Sequence, residues 1–403
     1  MNGLSQKQYL ELPLPTEDDP RSDQQRILDS LMAAGVEERV HIPVHILREL
    51  YPLLDNAKWK ITVSLAWNGE NWEMVEIEEG DTTAQHYGLA VDLGSTTVVA
   101  RLLDCNSGEI LKEVSCFNKQ IQWGTDILSR IFYCKDNKEK LEEVRRATVE
   151  SICECMDKLD ASHSALSMVI AGNTTMIHFL LGMDAFCVFY TPHAVHADCP
   201  GFQLARDLDI PLKGYVYCYP AKSNYLGGDI ISGMIDTELY KKNQISVFFD
   251  IGTNGELVIG NKEFLLCGAG AAGPALEGGV VRTGMRADIG AVDEVKIRDG
   301  NIYVHVIGSH KEDSGSHEKN SGNHEENSSG EEPRGICGSG IIDLIAELFL
   351  EGWIDIRGKL SPEKSPLIQE RDNQLCVEYA PGLYFYQKDI DEFIRTKSAA
   401  HTM

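Results

Sequence analysis

The stretch Tyr87–Asp104, YGLAVDLGSTTVVARLLD, decides the fold. An apolar run ends in Asp92, the chain turns through Gly94, Ser95, Thr96 and Thr97, and a second apolar run follows. β-forming residues on both sides of a Gly-containing turn predict a hairpin. The arrangement returns at Ile245–Gly260, ISVFFDIGTNGELVIG, where Asp250 is followed by Gly252, Thr253, Asn254, Gly255 and Glu256. Glycine permits positive φ and close backbone approach. Successive N–H groups in such a turn form a concavity that holds phosphate oxygens. The hydroxyls of Ser95, Thr96, Thr97 and Thr253 add donors. Asp92 and Asp250, each at a strand end, are placed to hold Mg2+, mostly through water. Ordinary hairpin turns also use Gly, Asn and Thr. Two copies of Asp, Leu or Ile, Gly, Ser or Thr, then Thr or Asn, in one strand–turn–strand frame favour a paired phosphate grip over chance.

The surrounding composition narrows the partners. With 403 residues, two or three domains are expected. The net charge of −25 argues against nucleic acid, which needs clustered Lys and Arg. The 11 cysteines are odd in number and form no C-x-x-C, so reduced thiols in a cytoplasmic protein are expected. The N-terminus is polar and acidic, unlike a signal peptide. No run of about 18 apolar residues would span a membrane.

Residues 1–25 carry Pro13, Pro15 and Pro20 among acids and read as an extended linker. Residues 26–85 read as a small α+β domain. A helix there places Ile27, Leu28, Leu31 and Met32 on one stripe before Gly35, and KWKITVSLAW and NWEMVEIEEG form paired strands around Asn68-Gly69. From residue 86 to 403 strands alternate with helices, an α/β pattern. KEKLEEVRRATVESICECMDKL is an amphipathic helix, and LSMVIAGNTTMIHFLLGM reads as strand, turn and helix. Gly308–Gly335 holds three seven-residue near-copies with His310, His317 and His324. It is too polar to fold and reads as a solvated insertion, with a His-rich metal loop as the alternative. KDIDEFIRTKSAAHTM starts a helix with Asp389 as its cap.

Gly268-Ala-Gly270-Ala-Ala-Gly273 matches G-x-G-x-x-G, but Pro274 and Gly278-Gly279 follow too soon for the required helix, so a Gly-rich cleft loop containing Glu277 is the better reading. Gly338-Ser339-Gly340 opens the apolar helix IIDLIAELFLEG, with Ser339 as N-cap and Gly352 as C′ residue. Its N–H groups serve either as a structural cap or near ribose or phosphate. Gly227-Gly228-Asp229 leads into another helix. His178 on MIHFLLGM reads as a core residue.

The two turns resemble the phosphate-1 and phosphate-2 loops of the ASKHA superfamily, which includes acetate and sugar kinases, chaperone ATPases and actin. IAGNTTMIHFLLG is similar to its first connecting segment, where Gly172, Asn173, Thr174 and Thr175 would open a helix facing the cleft. YLELPLPTEDDPRSD, YGLAVDLGSTTV, WGTDILSRI, AGNTTMIHFLLG, YLGGDIISGM, FDIGTNGELVIG, AGPALEGG, TGMRADIGAV, GICGSGIIDLI and KDIDEFIRTKSAA together resemble one branch, the ATP-dependent reductive activators of corrinoid proteins.

That resemblance implies two duplicated ribonuclease-H-like lobes that bind ATP and Mg2+. It implies slow hydrolysis that helps return a partner's Co(II) corrinoid to Co(I) for methyl transfer. Asp92 and Asp250 would hold the metal, and Glu256 or Asp229 would orient the water. Because no Cys precedes Cys105, no iron–sulfur cluster is expected in this chain, and the ATPase part is expected to be incomplete at its C-terminus. A corrinoid protein is the implied partner, with a separate ferredoxin-type reductase and a homodimer entertained beside it. A small-molecule kinase of the same superfamily and a nucleotide-binding module without turnover are the alternatives.

Overall fold

A computed structural model describes residues 3–124, 126–161, 164–224, 226–252, 255–270, 281–285, 287–308 and 331–402. The chain divides into two units, Met1–Lys241 and Lys242–Met403. The repeat with His310, His317 and His324 lies outside the described residues, as do Thr253, Asn254 and Glu277.

The first unit opens with a four-stranded sheet. β1 (Ser5–Glu11) is followed by α1 (Asp23–Ala33), β2 (Val40–His41), α2 (Val44–Asn56), β3 (Lys60–Trp67) and β4 (Trp72–Glu79), in the sheet order β1-β3-β4-β2. β1 belongs to the stretch expected to be an extended linker. It is extended, but as a strand antiparallel to β3, anchored by buried Leu10 with Leu12 just beyond it. Ile27 and Leu31 of α1 are buried as expected, whereas Met32 points outward. Gly35 takes φ +92° just past the helix, where a side chain would be strained. Asn68 accepts from the N–H groups of Glu70 and Asn71 and closes the β3–β4 turn.

The same unit continues into a six-stranded sheet. Its elements are β5 (Tyr87–Leu93), β6 (Thr97–Asp104), β7 (Ile110–Phe117), α3 (Ile127–Cys134), α4 (Lys138–Lys158), β8 (Ala165–Gly172), α5 (Thr174–Leu180), β9 (Gly201–Leu204), β10 (Tyr215–Cys218) and α6 (Gly228–Thr237). The order is β7-β6-β5-β8-β10-β9, with β5, β8 and β10 parallel and the rest antiparallel. α4 buries Val144, Ile152, Cys155 and Met156 in the core that also holds Leu89, Val91, Val98 and Ile170. Cys116 and Cys155 meet there at 3.3 Å between sulfurs without a disulfide. The small sheet is fixed to this layer by Tyr215, whose hydroxyl donates to Glu73 at 2.9 Å, and by Ser5, 2.9 Å from His86 Nε2.

The second unit begins with the antiparallel meander β11 (Ser246–Ile251), β12 (Gly255–Gly260) and β13 (Leu265–Gly270). It continues with β14 (Ala291–Arg298), β15 (Asn301–Val306), β16 (Gly335–Ile336), α7 (Gly338–Leu350), β17 (Ile368–Arg371), β18 (Gln374–Ala380), β19 (Leu383–Tyr386) and α8 (Gln387–Thr402). α7 packs on β14, burying Ile341, Leu344 and Leu348 against Val292 and Val295. Each unit thus contains an antiparallel strand pair with Asp near the end of its first strand, Asp92 in β5 and Asp250 in β11.

Three sequence expectations shift by a few residues. Gly268 and Gly270 are not in a loop: they lie within β13, opposite Leu257 and Gly255. The N-cap of α7 is Cys337, with Ser339 inside the first turn; Gly352 does follow the helix at φ +69°. α8 starts at Gln387, so Asp389 sits in its first turn, buried, accepting the Tyr386 N–H at 2.9 Å.

Candidate functional site

The expected hairpins form in both units. In β5–β6, Asp92 lies opposite Val99 and Leu93 opposite Val98, so the turn spans Gly94 to Thr97. Asp92 is exposed at the strand end, and Gly94, Ser95, Thr96 and Thr97 are half-buried. A Cβ on Gly94 would lie 2.3 Å from the Thr97 carbonyl oxygen, so the turn closes only around glycine.

β5 is also parallel to β8, with Leu93 beside Gly172. This brings two chain reversals together. A Cβ on Gly172 would lie 2.7 Å from the Leu93 carbonyl oxygen. Asn173 caps α5 by accepting the Thr175 N–H at 2.9 Å. The Thr174 hydroxyl donates to the Ser223 carbonyl at 2.6 Å. A third reversal joins them. Gly227 precedes α6, and a Cβ there would lie 2.4 Å from the Gly172 oxygen and 2.7 Å from both Asn173 Cα and Asp229 Oδ1. Asp229 is half-buried and one oxygen accepts the Ile230 N–H at 2.8 Å. The first unit therefore gathers Asp92, the 94–97 turn, Gly172, Asn173, Thr174 and Asp229 at the carboxyl ends of adjacent parallel strands. Open α/β sheets bind ligands at that edge.

Two residues that motif reading does not reveal lie behind the turn, and one of them holds it directly. Asn118 is fully buried. Its Nδ2 donates to the Gly94 carbonyl at 2.9 Å, its backbone N–H to Thr96 at 2.9 Å, and its Oδ1 accepts from Gln120 N at 3.0 Å. Arg130, in α3, is also fully buried and donates to the Gly124 carbonyl and to Gln120 Oε1, each at 3.0 Å. Burial pushes its guanidinium down to about 10, still charged at neutral pH. The one available signal was a polar Asn between apolar Cys116 and the helical residues, and an Arg inside the apolar helix DILSRIF.

His178 is a core residue, as expected. Its Nδ1 donates to the Thr174 carbonyl at 2.8 Å, and its Nε2 accepts from His196 N at 3.2 Å. Burial lowers its pKa below the ordinary histidine value.

In the second unit, Asp250 lies opposite Glu256 and Ile251 opposite Gly255 in the β11–β12 hairpin. Directly opposed residues share a face, so the two carboxylates are neighbours, Asp250 half-buried and Glu256 buried. Gly252 precedes Thr253 and Asn254, which fall outside the described residues. Gly338, Ser339 and Gly340 form the first turn of α7. A Cβ on Gly340 would lie 2.3 Å from the Val292 oxygen, so Gly340 serves close helix–strand packing. Among the described residues no group of three or more His, Cys, Asp or Glu is arranged to hold a metal, and no helix is long and apolar enough to cross a membrane.

Three consecutive family models match the chain: the RACo linker region over residues 1–84, the RACo middle region over 87–242, and the C-terminal domain of RACo, the ASKHA domain, over 244–403. Corrinoid activation enzyme RamQ of Eubacterium limosum is 33% identical over 281 residues, covering 68% of this chain and 43% of that protein. A Co(II) methylated amine-specific corrinoid protein reductase of Methanosarcina barkeri is 24% identical over 319 residues, covering 76% of this chain and 56% of that protein. The solved structure of a reductive activator for a corrinoid, iron–sulfur protein matches with a TM-score of 0.86 at 32% identity, over 99% of this chain and 63% of that one. The chain thus spans 43%, 56% and 63% of these three relatives.

Proposed function

Since the chain belongs to the RACo family, whose linker, middle and ASKHA regions follow one another along it, we propose that it is the ATP-binding, ATP-hydrolysing module of a reductive activator that helps return Co(II) corrinoid proteins to Co(I). The observation that carries this reading is the convergence at Gly172 and Gly227, where a Cβ on Gly172 would meet Leu93 at the start of the first turn and one on Gly227 would meet Gly172 and Asn173, beside the tight turn that closes around Gly94. Backbone N–H groups of a tight turn and of two helix starts then face one place, which suits a polyphosphate.

In this reading residues 86–403 form the nucleotide machinery, preceded by the 1–25 and 26–85 segments. The N–H groups and hydroxyls of Gly94, Ser95, Thr96 and Thr97 take phosphate oxygens, with Gly172, Asn173 and Thr174 beside them. Gly252, Thr253, Asn254 and Gly255 do the same in the second unit, and Gly338, Ser339 and Gly340 serve ribose or phosphate. Mg2+ fits the donor set, because it is usually held by one or two carboxylates plus substrate phosphates. Each unit offers one such carboxylate, Asp92 in the first and Asp250 in the second, and the ion would neutralise developing phosphate charge. Asp229 or Glu256 orients the attacking water. Hydrolysis of this kind rests on positioning and electrostatics and suits a slow conformational switch.

Reduction of Co(II) to Co(I) takes one electron. A ferredoxin-type iron–sulfur reductase is the proposed donor and a cobalamin-carrying protein the partner. The test is calorimetry of ATP with Mg2+ on the wild type, Asp92→Asn and Asp250→Asn. Micromolar binding weakened at least tenfold in both variants supports the reading. A wild type that binds no ATP, or variants that bind like it, would sink it.

A further inference from the structure

Arg130 poses a physical problem that its local contacts do not solve. The side chain is fully buried. Nε donates to Gly124 O and Nη1 to Gln120 Oε1, but Nη2 has no hydrogen-bond partner among the described residues. Asp126 is the carboxylate that acts on it, through space rather than by a hydrogen bond, and burial outweighs that attraction. Asp126, four residues earlier, spends its carboxylate on the α3 N-terminus, accepting from Ser129 N at 2.9 Å and Ser129 Oγ at 2.6 Å. Buried cations are ordinarily paired, because an unpaired one carries its full desolvation penalty.

The surroundings indicate which anion is missing. Met176 Sδ lies 3.7 Å from Arg130 Nη1 and 3.9 Å from Asn118 Nδ2. A single sulfur therefore separates the guanidinium from the amide that holds the Gly94 carbonyl. Met176 itself stands in the first turn of α5. The charge is thus set directly behind the turn and the helix start that converge in this unit. Polar N–H groups in front and a cation behind offset the carboxylates of Asp92 and Asp229 at this place, in a protein whose net charge is −25.

We propose that Arg130 is a positioning residue whose buried charge is balanced by the phosphates of the bound nucleotide. This makes the site selective for polyanionic ligands; it rests on the nucleotide reading above. The guanidinium acts through Met176 and Asn118 and touches no phosphate itself. A full charge about 10 Å from an anion, at an effective dielectric of about 20, changes its affinity on the order of tenfold per unit of anion charge.

The experiment is calorimetry of the full chain with Mg2+·ATP, inorganic pyrophosphate and adenosine, on wild type, Arg130→Gln and Arg130→Lys. Arg130→Gln is expected to weaken ATP and pyrophosphate tenfold or more while adenosine changes less than twofold. Arg130→Lys, which keeps the charge, is expected to stay within about threefold of wild type for all three. A role confined to bracing Gly124 and Gln120 would instead weaken adenosine and ATP alike, and that result overturns the inference. So does wild-type ATP and pyrophosphate affinity in Arg130→Gln, which leaves the nucleotide reading standing. A wild type that binds neither anion removes both. Should Arg130→Gln fail to give a cooperative melt, Arg130→Lys decides. A folded Lys variant that has lost ATP and pyrophosphate tenfold refutes a charge-based role.

Discussion

Gly227→Ala is the sharpest single perturbation of the convergence. Gly227 has φ −83° and ψ −173°, an extended conformation open to any residue, so backbone strain contributes nothing. The cost is entirely steric. The new methyl would meet the Gly172 oxygen at 2.4 Å, Asn173 Cα at 2.7 Å and Asp229 Oδ1 at 2.7 Å. Two of these are backbone atoms that cannot rotate aside, so α6 must shift from the start of α5. Overpacking of this kind costs about 1–3 kcal/mol. For a unit of this size, about 2 kcal/mol lowers the melting temperature by roughly 4–8 °C. A displacement of about 1 Å among positioned groups also costs function, so ATP affinity should fall about tenfold, or about 1.4 kcal/mol. Gly35→Ala is the control. It carries φ +92° and has nothing within 4 Å of its added Cβ, so it should lose about 1 kcal/mol from the left-handed backbone and bind ATP normally. The assays are thermal melting followed by circular dichroism and calorimetry with Mg2+·ATP. If Gly227→Ala melted within 1 °C of wild type, the close approach would not be rigid. If it melted lower but bound ATP normally, the convergence would not be the nucleotide site.

Two further outcomes are expected. Asn118→Ala removes the amide that donates to Gly94 and accepts from Gln120, leaving buried polar groups unpaired at a cost of about 1–3 kcal/mol; ATP affinity should fall with it, and urea unfolding with parallel titrations checks both. His178 is held neutral by burial, its folded pKa lowered, so its contribution is present above the ordinary histidine value of about 6.5 and is lost as pH falls through the folded value. Wild-type urea midpoints should therefore drop between about pH 7 and pH 5, and His178→Gln should show a shallower slope. His86, also lowered by burial, keeps some slope in the variant. Identical slopes in the two proteins would remove His178 from this account.

The hairpins were legible because each element obeys a local rule: β-forming runs on either side of a glycine turn need no knowledge of the rest of the chain. The amphipathic α4 and the strand–cap–helix of Ala165–Leu180 were legible for the same reason. β1 was hidden because SQKQYLE buries only Ser5 and Leu10, so its pattern is that of a polar segment, and only pairing with β3 makes it a strand. The start of α7 was misplaced because capping propensity favours Ser339, whereas the turn geometry of β16 puts Cys337 at the cap. The site shows the same division. Asp92 and Gly94 announce themselves, but Gly172 and Gly227 matter because β5 lies parallel to β8, a pairing set by packing across more than one helix. Asn118 and Arg130 lie still further from any motif. Their residue types are ordinary, and only burial turns them into a problem, since a hidden amide and a hidden cation each require a partner. One finds its partner in the Gly94 carbonyl. For the other, the described chain offers two neutral oxygens and only the longer-range charge of Asp126, which does not offset its burial, and it is this imbalance that points outward, to the anion proposed above.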